Sequence, residues 1–245
     1  MKIDQRDADA ALGGGEVHSH SSWMLPFALF VIAALIGGGV LIYLAGPTVE
    51  DLSGNTPSPT ASTDTADIRI DGVSFRIPAN YTRFGRGRSS GDQDKVEMYA
   101  LLPNMSPWSP GDREKFASNA PDSQVVFFTL AVDRGRFTYE ENFDRAIKPA
   151  AANPEGSPGP FGLTEFKFTG GGYQNTTWYT APLDDGQFVA RCDPSANLAF
   201  GASCMRGTRL PGNVGLTYQF KQAHLSQWKQ IDAAVRGLVA SFRVK

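Results

Sequence analysis

Few side chains in this sequence are of a type and spacing that could do chemistry. The two cysteines, Cys192 and Cys204, stand with eleven residues between them. The flanking segments FVAR and MRGTR read as two strands, and the loop between them holds Pro194, Asn197 and Gly201. Such a hairpin would bring the α-carbons within the roughly 4.4–6.8 Å that a disulfide needs. A disulfide is therefore expected, and the competing reading is two independent buried thiols. Two thiols without a neighbouring histidine fall short of the four ligands of a structural metal site. The stapled loop would present Leu198 and Phe200 as candidate contacts for a partner.

Catalytic arrangements are weakly represented. His224 is the one histidine beyond residue 20, so a serine triad would need it as base. Gly87-Arg88-Ser89-Ser90-Gly91 has the letters of a nucleophile elbow, yet it lies in a basic, glycine-rich loop without a strand before it or a helix after it. The pairs Glu140-Glu141 and Asp184-Asp185 are explained by a helix start and a turn. Distant carboxylates of the glycosidase kind leave no local signature in a sequence. No phosphate-binding glycine loop is present, since Gly170-Gly171-Gly172 lacks a following helix. No catalytic, cofactor-binding or metal residue is assigned, and no cofactor is expected.

The elements that would position these groups are divided by one apolar stretch. Trp23 to Ala45 contains no charged residue, and as a helix it would reach about 35 Å, enough to cross a hydrocarbon core. It exceeds the usual apolar core of a cleaved signal peptide, and Tyr43 spoils a small-x-small cut after Ala45. An uncleaved transmembrane helix is expected. Lys2 and Arg6 precede it, whereas no Lys or Arg occurs from Gly46 to Ile68. This bias places the N-terminus in the cytoplasm and the bulk of the chain outside it, as a single-pass protein of the inner (plasma) membrane with a periplasmic domain. The cysteines, both on the outer side, suit an oxidising compartment.

Four regions follow: a disordered tail (1–22), the span (23–45), a Pro/Ser/Thr-rich linker (46–66) and an outer domain (67–245) large enough to bury its own core. The outer domain carries a net +3 and the linker −3, so no nucleic-acid partner is indicated. Asp71-Gly72 between alternating runs signals a hairpin. Arg83, Arg86 and Arg88 form a basic loop that could meet anionic head groups or a protein. Residues 124–132 should be a central strand buried on both faces. Thr138 to Glu141 is a capping box opening a short helix whose Phe143 and Ile147 face the core. Strands are expected over 163–168, 173–180, 187–192, 204–209 and 214–220. A closing helix from about Leu225 carries the stripe Trp228, Ile231, Val235, Leu238 and Phe242, and Gly237 within it suggests a close helix–strand contact. The fold class is α+β: one transmembrane helix, then a mainly antiparallel sheet packed by a C-terminal helix.

The hairpin leading into Phe75-Arg76-Ile77-Pro78, with the antiparallel sheet and closing helix, resembles the Mog1/PsbP-like α+β sandwich. The stretch Phe188 to Cys192 through Cys204, with Trp228 and the last helix, resembles uncharacterised single-pass bacterial envelope proteins. The expectation is a non-enzymatic membrane-anchored domain that binds another envelope component. An anchored hydrolase using distant carboxylates and a small-ligand or lipid-binding domain are the alternatives.

Overall fold

The computed structural model describes residues 23–45, 56–194 and 201–244. The chain divides into two units, Met1–Thr48 and Val49–Lys245. In the first, helix α1 runs over Met24–Ala45, as an uninterrupted run of apolar and small residues dictates. Its side chains are described over 26–40, and among the described residues no helix is long and apolar enough to cross a membrane. The backbone helix continues past that stretch at both ends.

The second unit is built on two sheets. Strands β1 (Thr65–Ile70) and β2 (Val73–Pro78) form the expected hairpin, with Asp71 (φ 46°) and Gly72 (φ 80°) supplying the left-handed turn that matches strand twist. β3 (Gly91–Asp92) pairs with β1 in parallel. The larger sheet contains β4 (Lys95–Leu101), β5 (Val125–Val132), β6 (Ser157–Pro158), β7 (Thr164–Phe166), β8 (Thr177–Leu183), β9 (Gly186–Asp193), β10 (Ser203–Leu210) and β11 (Val214–Lys221). Its order is β4-β5-β11-β10-β9-β8-β7-β6, antiparallel throughout. Helices α2 (Arg113–Ala117) and α3 (Tyr139–Asn142) are short, and α4 (Trp228–Phe242) closes the fold. The α+β class, the mainly antiparallel sheet and the C-terminal helix all match the sequence reading.

Period-two alternation decides what lies where. Ile68, Ile70, Phe75 and Ile77 of the small sheet meet Met98, Phe128, Leu216 and Phe188 of the large one, with α4 completing the layer. The opposite face carries two satellite clusters, one around Phe143, Phe166 and Trp178, the other around Tyr99, Trp108 and Phe116. The Thr138 hydroxyl accepts from the Glu141 amide at 3.1 Å while the Glu141 carboxylate accepts from the Thr138 amide at 2.8 Å, so the capping box forms.

Three expectations are corrected. β5 lies next to the edge strand β4, and its outer-face residues Phe127 and Thr129 are only half-buried. A 3-10 turn, Gln222–Gln227, precedes the last helix, and Asp232 and Val239 fill the buried stripe where Leu238 was expected. No atom lies within 4 Å of where a Cβ on Gly237 would sit, so that glycine marks open space and no close contact.

Cys192 and Cys204 form the disulfide and are fully buried. They are direct partners across the β9–β10 ladder, with α-carbons 3.9 Å apart, closer than the expected range. Alkylation without reductant should find no free thiol. Replacing both cysteines by alanine should lower stability by about 3 kcal/mol, read as a reduced urea midpoint. Two alkylatable thiols in protein isolated without reductant would overturn the pairing.

Candidate partner-binding cleft

The β9–β10 ladder stops early. Pairing covers Asp193 to Ala190 against Ser203 to Arg206. Beyond it β9 continues paired only with β8, and β10 only with β11. The sheet therefore splits into two diverging hairpins, and a cleft of about 700 Å³ opens where they part. Leu183, Asp184 and Asp185 from the β8–β9 turn form one wall; Leu210 and Pro211 from the β10–β11 turn form the other. Along α4 the lining is Lys229, Asp232, Ala233, Arg236, Gly237 and Ala240.

A buried charge network sits at the root of the split. Arg206 shares strand parity with Cys204, so it points into the core layer, where it is 2% exposed. Its Nη1 donates to Asp232 Oδ1, and its Nη2 donates to the Gln187 carbonyl of the diverged strand at 3.4 Å. Glu140 Oε1 approaches Nη2 at 3.9 Å, and the guanidinium lies 5.0 Å above the Phe188 ring. Tyr218 donates its hydroxyl to Asp232 Oδ1 at 2.9 Å, and burial pushes that phenol well above its ordinary pKa. A buried ion pair gains only when its remaining valences are met. Here one carboxylate oxygen serves two donors, while Arg206 Nε is buried without a hydrogen-bond partner. The guanidinium fills the gap that missing strand pairing leaves.

Both walls are pinned. Arg236 grips Asp185 with both terminal nitrogens, Nη1 at 3.1 Å from Oδ1, tying the β8–β9 turn to α4. That contact holds the Asp185 carboxyl below its usual pKa and raises Arg236. On the other side Gly212 (φ 89°) lets the β10–β11 turn press on β2: a Cβ there would fall 2.3 Å from Val73 Cγ2. The floor, by contrast, is cut back. Ala233, Gly237 and Ala240 are small and exposed along α4, and an interior glycine costs a helix about 1 kcal/mol relative to alanine. The cleft is thus preformed, apolar at its base and charged at its rim.

The other residues singled out by sequence lie elsewhere. Leu198 and Phe200 fall outside the described residues. The Arg83 guanidinium stacks on Phe84 and Phe127 at 5.1 and 5.0 Å, and Arg86 pairs with Glu97. Arg88 donates to the Thr82 hydroxyl at 2.9 Å and to the Ser58 carbonyl. The basic loop therefore fastens the chain at Ser58, within the stretch that composition puts in the linker, to the edge of β4. Gly85–Arg88 is a 3-10 turn followed by a two-residue strand, so the elbow geometry does not form at Ser89. His224 Nε2 lies 3.1 Å from the carbonyls of both Asp122 and Ser123. Among the described residues no group of three His, Cys, Asp or Glu side chains is placed to hold a metal. Sequence reasoning missed Arg206 and Asp232. The signal was present in each case: a cation on the inward parity of a strand, and an acid four residues after Trp228 in the apolar stripe.

No protein-family model matches the sequence, and no curated protein matches it. Among solved structures the chain is similar to that of Smlt3025, an immunity protein of the Stenotrophomonas maltophilia type IV secretion system. The superposition has a TM-score of 0.54 at 20% identity, covering 75% of this chain and 95% of that one. At that identity the likeness is one of fold: the α+β architecture of the second unit is one that a solved protein also adopts.

Proposed function

We propose that this chain is a single-pass envelope protein whose outer domain binds another protein of the envelope or one arriving there, using the cleft beside α4. In this reading residues 1–22 are cytoplasmic and 23–45 cross the inner membrane. The following segment holds the domain, from about residue 67 on, outside the cytoplasm. Support for the topology comes from the uncharged stretch Trp23 to Ala45, the Lys2 and Arg6 bias, and the buried disulfide. The fold shared with an immunity protein of a secretion system is consistent with a domain that works by binding a protein partner.

Gly237 carries the proposal. It weakens α4, relieves no clash and opens the cleft floor, as a segment of a partner approaching the helix closely would require. Gly237→Ala should raise stability by about 1 kcal/mol. Gly237→Trp should leave the fold intact and fill the cleft. A photo-crosslinking residue at Ala233 or Ala240 should capture one defined protein in native membranes, and Gly237→Trp should abolish the capture. The same residue at Thr217, exposed on the opposite face, should not capture it. Equal capture from both faces, or capture unaffected by Gly237→Trp, would remove the cleft from the function. A reporter fused after Lys245 that works only outside the cytoplasm should be active, and its silence would reverse the topology.

A further inference from the structure

On the sheet face opposite α4, a second cavity of about 200 Å³ has a different character. Tyr99, Phe127, Trp108 and Phe116 give it aromatic walls, and Tyr99 meets Phe116 edge-on at 4.7 Å between ring centres. Its charged lining is Arg83 and Arg113, with no carboxylate. The Arg83 guanidinium carbon lies 5.0 Å from the Phe127 ring centre, while Arg113 is exposed and has no ion-pair partner among the described residues. The Tyr99 hydroxyl is buried with no hydrogen-bond partner in a residue 4% exposed. Burial pushes its pKa up to about 12, so it stays a protonated donor at neutral pH.

The remaining border is formed by Pro57 and Pro59, from the segment that leads into the outer domain. The Ser58 amide, between them, donates to the Arg83 carbonyl at 3.0 Å. A fixed strap therefore borders the cavity on one side, and the cavity opens to solvent beside the exposed Arg113 and Ala117.

We infer that this cavity binds a group that pairs one aromatic ring with a carboxylate, with Arg83 and Arg113 facing the carboxylate and Tyr99 donating to it. A dry cavity of about 150 Å³ accepts benzene, so the available volume suits one ring with a small substituent. Guanidinium groups match carboxylates in geometry and charge, and aromatic walls favour a stacked or edge-on ring. An unmet buried donor adds a third polar point that a neutral hydrocarbon would leave unsatisfied. Such a group could be a free aromatic acid or the C-terminal phenylalanine of a protein.

The test is calorimetric titration of the full chain in detergent with benzoate and with benzamide, its neutral analogue. Benzoate should bind at one site per chain, with benzamide at least tenfold weaker. Arg113→Gln, whose side chain is exposed, should weaken benzoate about tenfold with no change in melting temperature. Tyr99→Phe, which keeps the ring packing, should weaken it by a similar factor. Competition by a tetrapeptide ending in phenylalanine, but not by its C-terminal amide, would assign the site to a protein C-terminus. Benzoate binding without such competition would assign it to a free acid. No saturable heat with benzoate, equal affinity for benzamide, or indifference to Arg113→Gln would overturn the inference. None of these outcomes bears on the cleft beside α4, which lies on the other face of the sheet.

Discussion

Replacing Asp232 by alanine should lower the stability of the α+β domain by about 3–5 kcal/mol, the usual penalty for leaving a buried charge without its partner. Arg206 would remain 2% exposed with its main counter-ion gone, and Tyr218 would lose the acceptor of its hydroxyl. The side chain cannot simply swing into solvent, because the diverging strands and α4 enclose it. Asp232→Asn keeps the volume and one acceptor oxygen, so it should cost less than the alanine change. Converting Arg206 and Asp232 together to methionine and leucine, with Tyr218→Phe to remove the hydroxyl left without an acceptor, should recover most of the loss, since apolar packing often replaces a buried pair without penalty. The cleft should respond differently: Asp232 lines it, so the triple variant should fold while losing the crosslinks placed at Ala233. The measurement is urea unfolding of the full chain in detergent. An Asp232→Ala midpoint unchanged within error would show that the network does not hold the split sheet.

Trp228→Ala should cost a comparable amount, roughly 3–5 kcal/mol, for a different reason. The indole is 7% exposed and its ring centre lies 4.5 Å from that of Phe188, so truncation leaves a cavity between α4 and β9. Its Nε1 also donates to the Phe161 carbonyl at 3.2 Å, fixing a loop in which Phe161 sits at φ 57°. Trp228→Phe separates the two contributions. It keeps most of the packing and removes the hydrogen bond, so it should cost about 1 kcal/mol from that source and loosen the loop. Hydrogen exchange at residues 161–163 should rise in both variants. A Trp228→Phe loss as large as the alanine loss would place the main effect in the hydrogen bond.

What the sequence by itself determined is local. Asp71-Gly72 imposes a left-handed two-residue turn whatever the rest of the chain does, and the hairpin forms there. Thr138 and Glu141 are within reach of each other's amides through helix geometry alone, so the capping box was readable. Phe143 and Ile147 share one face and are both buried. The cysteines pair because a hairpin of that length can place them in register. The uncharged stretch is helical over Met24–Ala45, with Pro26 confined to its first turn and apolar residues on both sides of Gly37–Gly39.

Only the tertiary structure decided how the strands are ordered, and the site depends on that order. β11 inserts between β5 and β10, which brings Arg206 beside Tyr218 and under α4. The pairing of β9 with β10 then ends at Arg206, although both strands continue, because each keeps its ladder on one side and diverges on the other. No periodicity in either strand announces where a ladder stops. The ion pair of Arg206 with Asp232, 26 residues apart, follows from that divergence. The same is true of Arg83 over Phe127: a cation in a loop and a ring on a strand are joined only because the loop runs along the β4 edge. Gly237 shows the difference most plainly. Its helix cost is fixed by its lack of a side chain, but whether the vacant space faces a strand or a cleft is set by where two hairpins part.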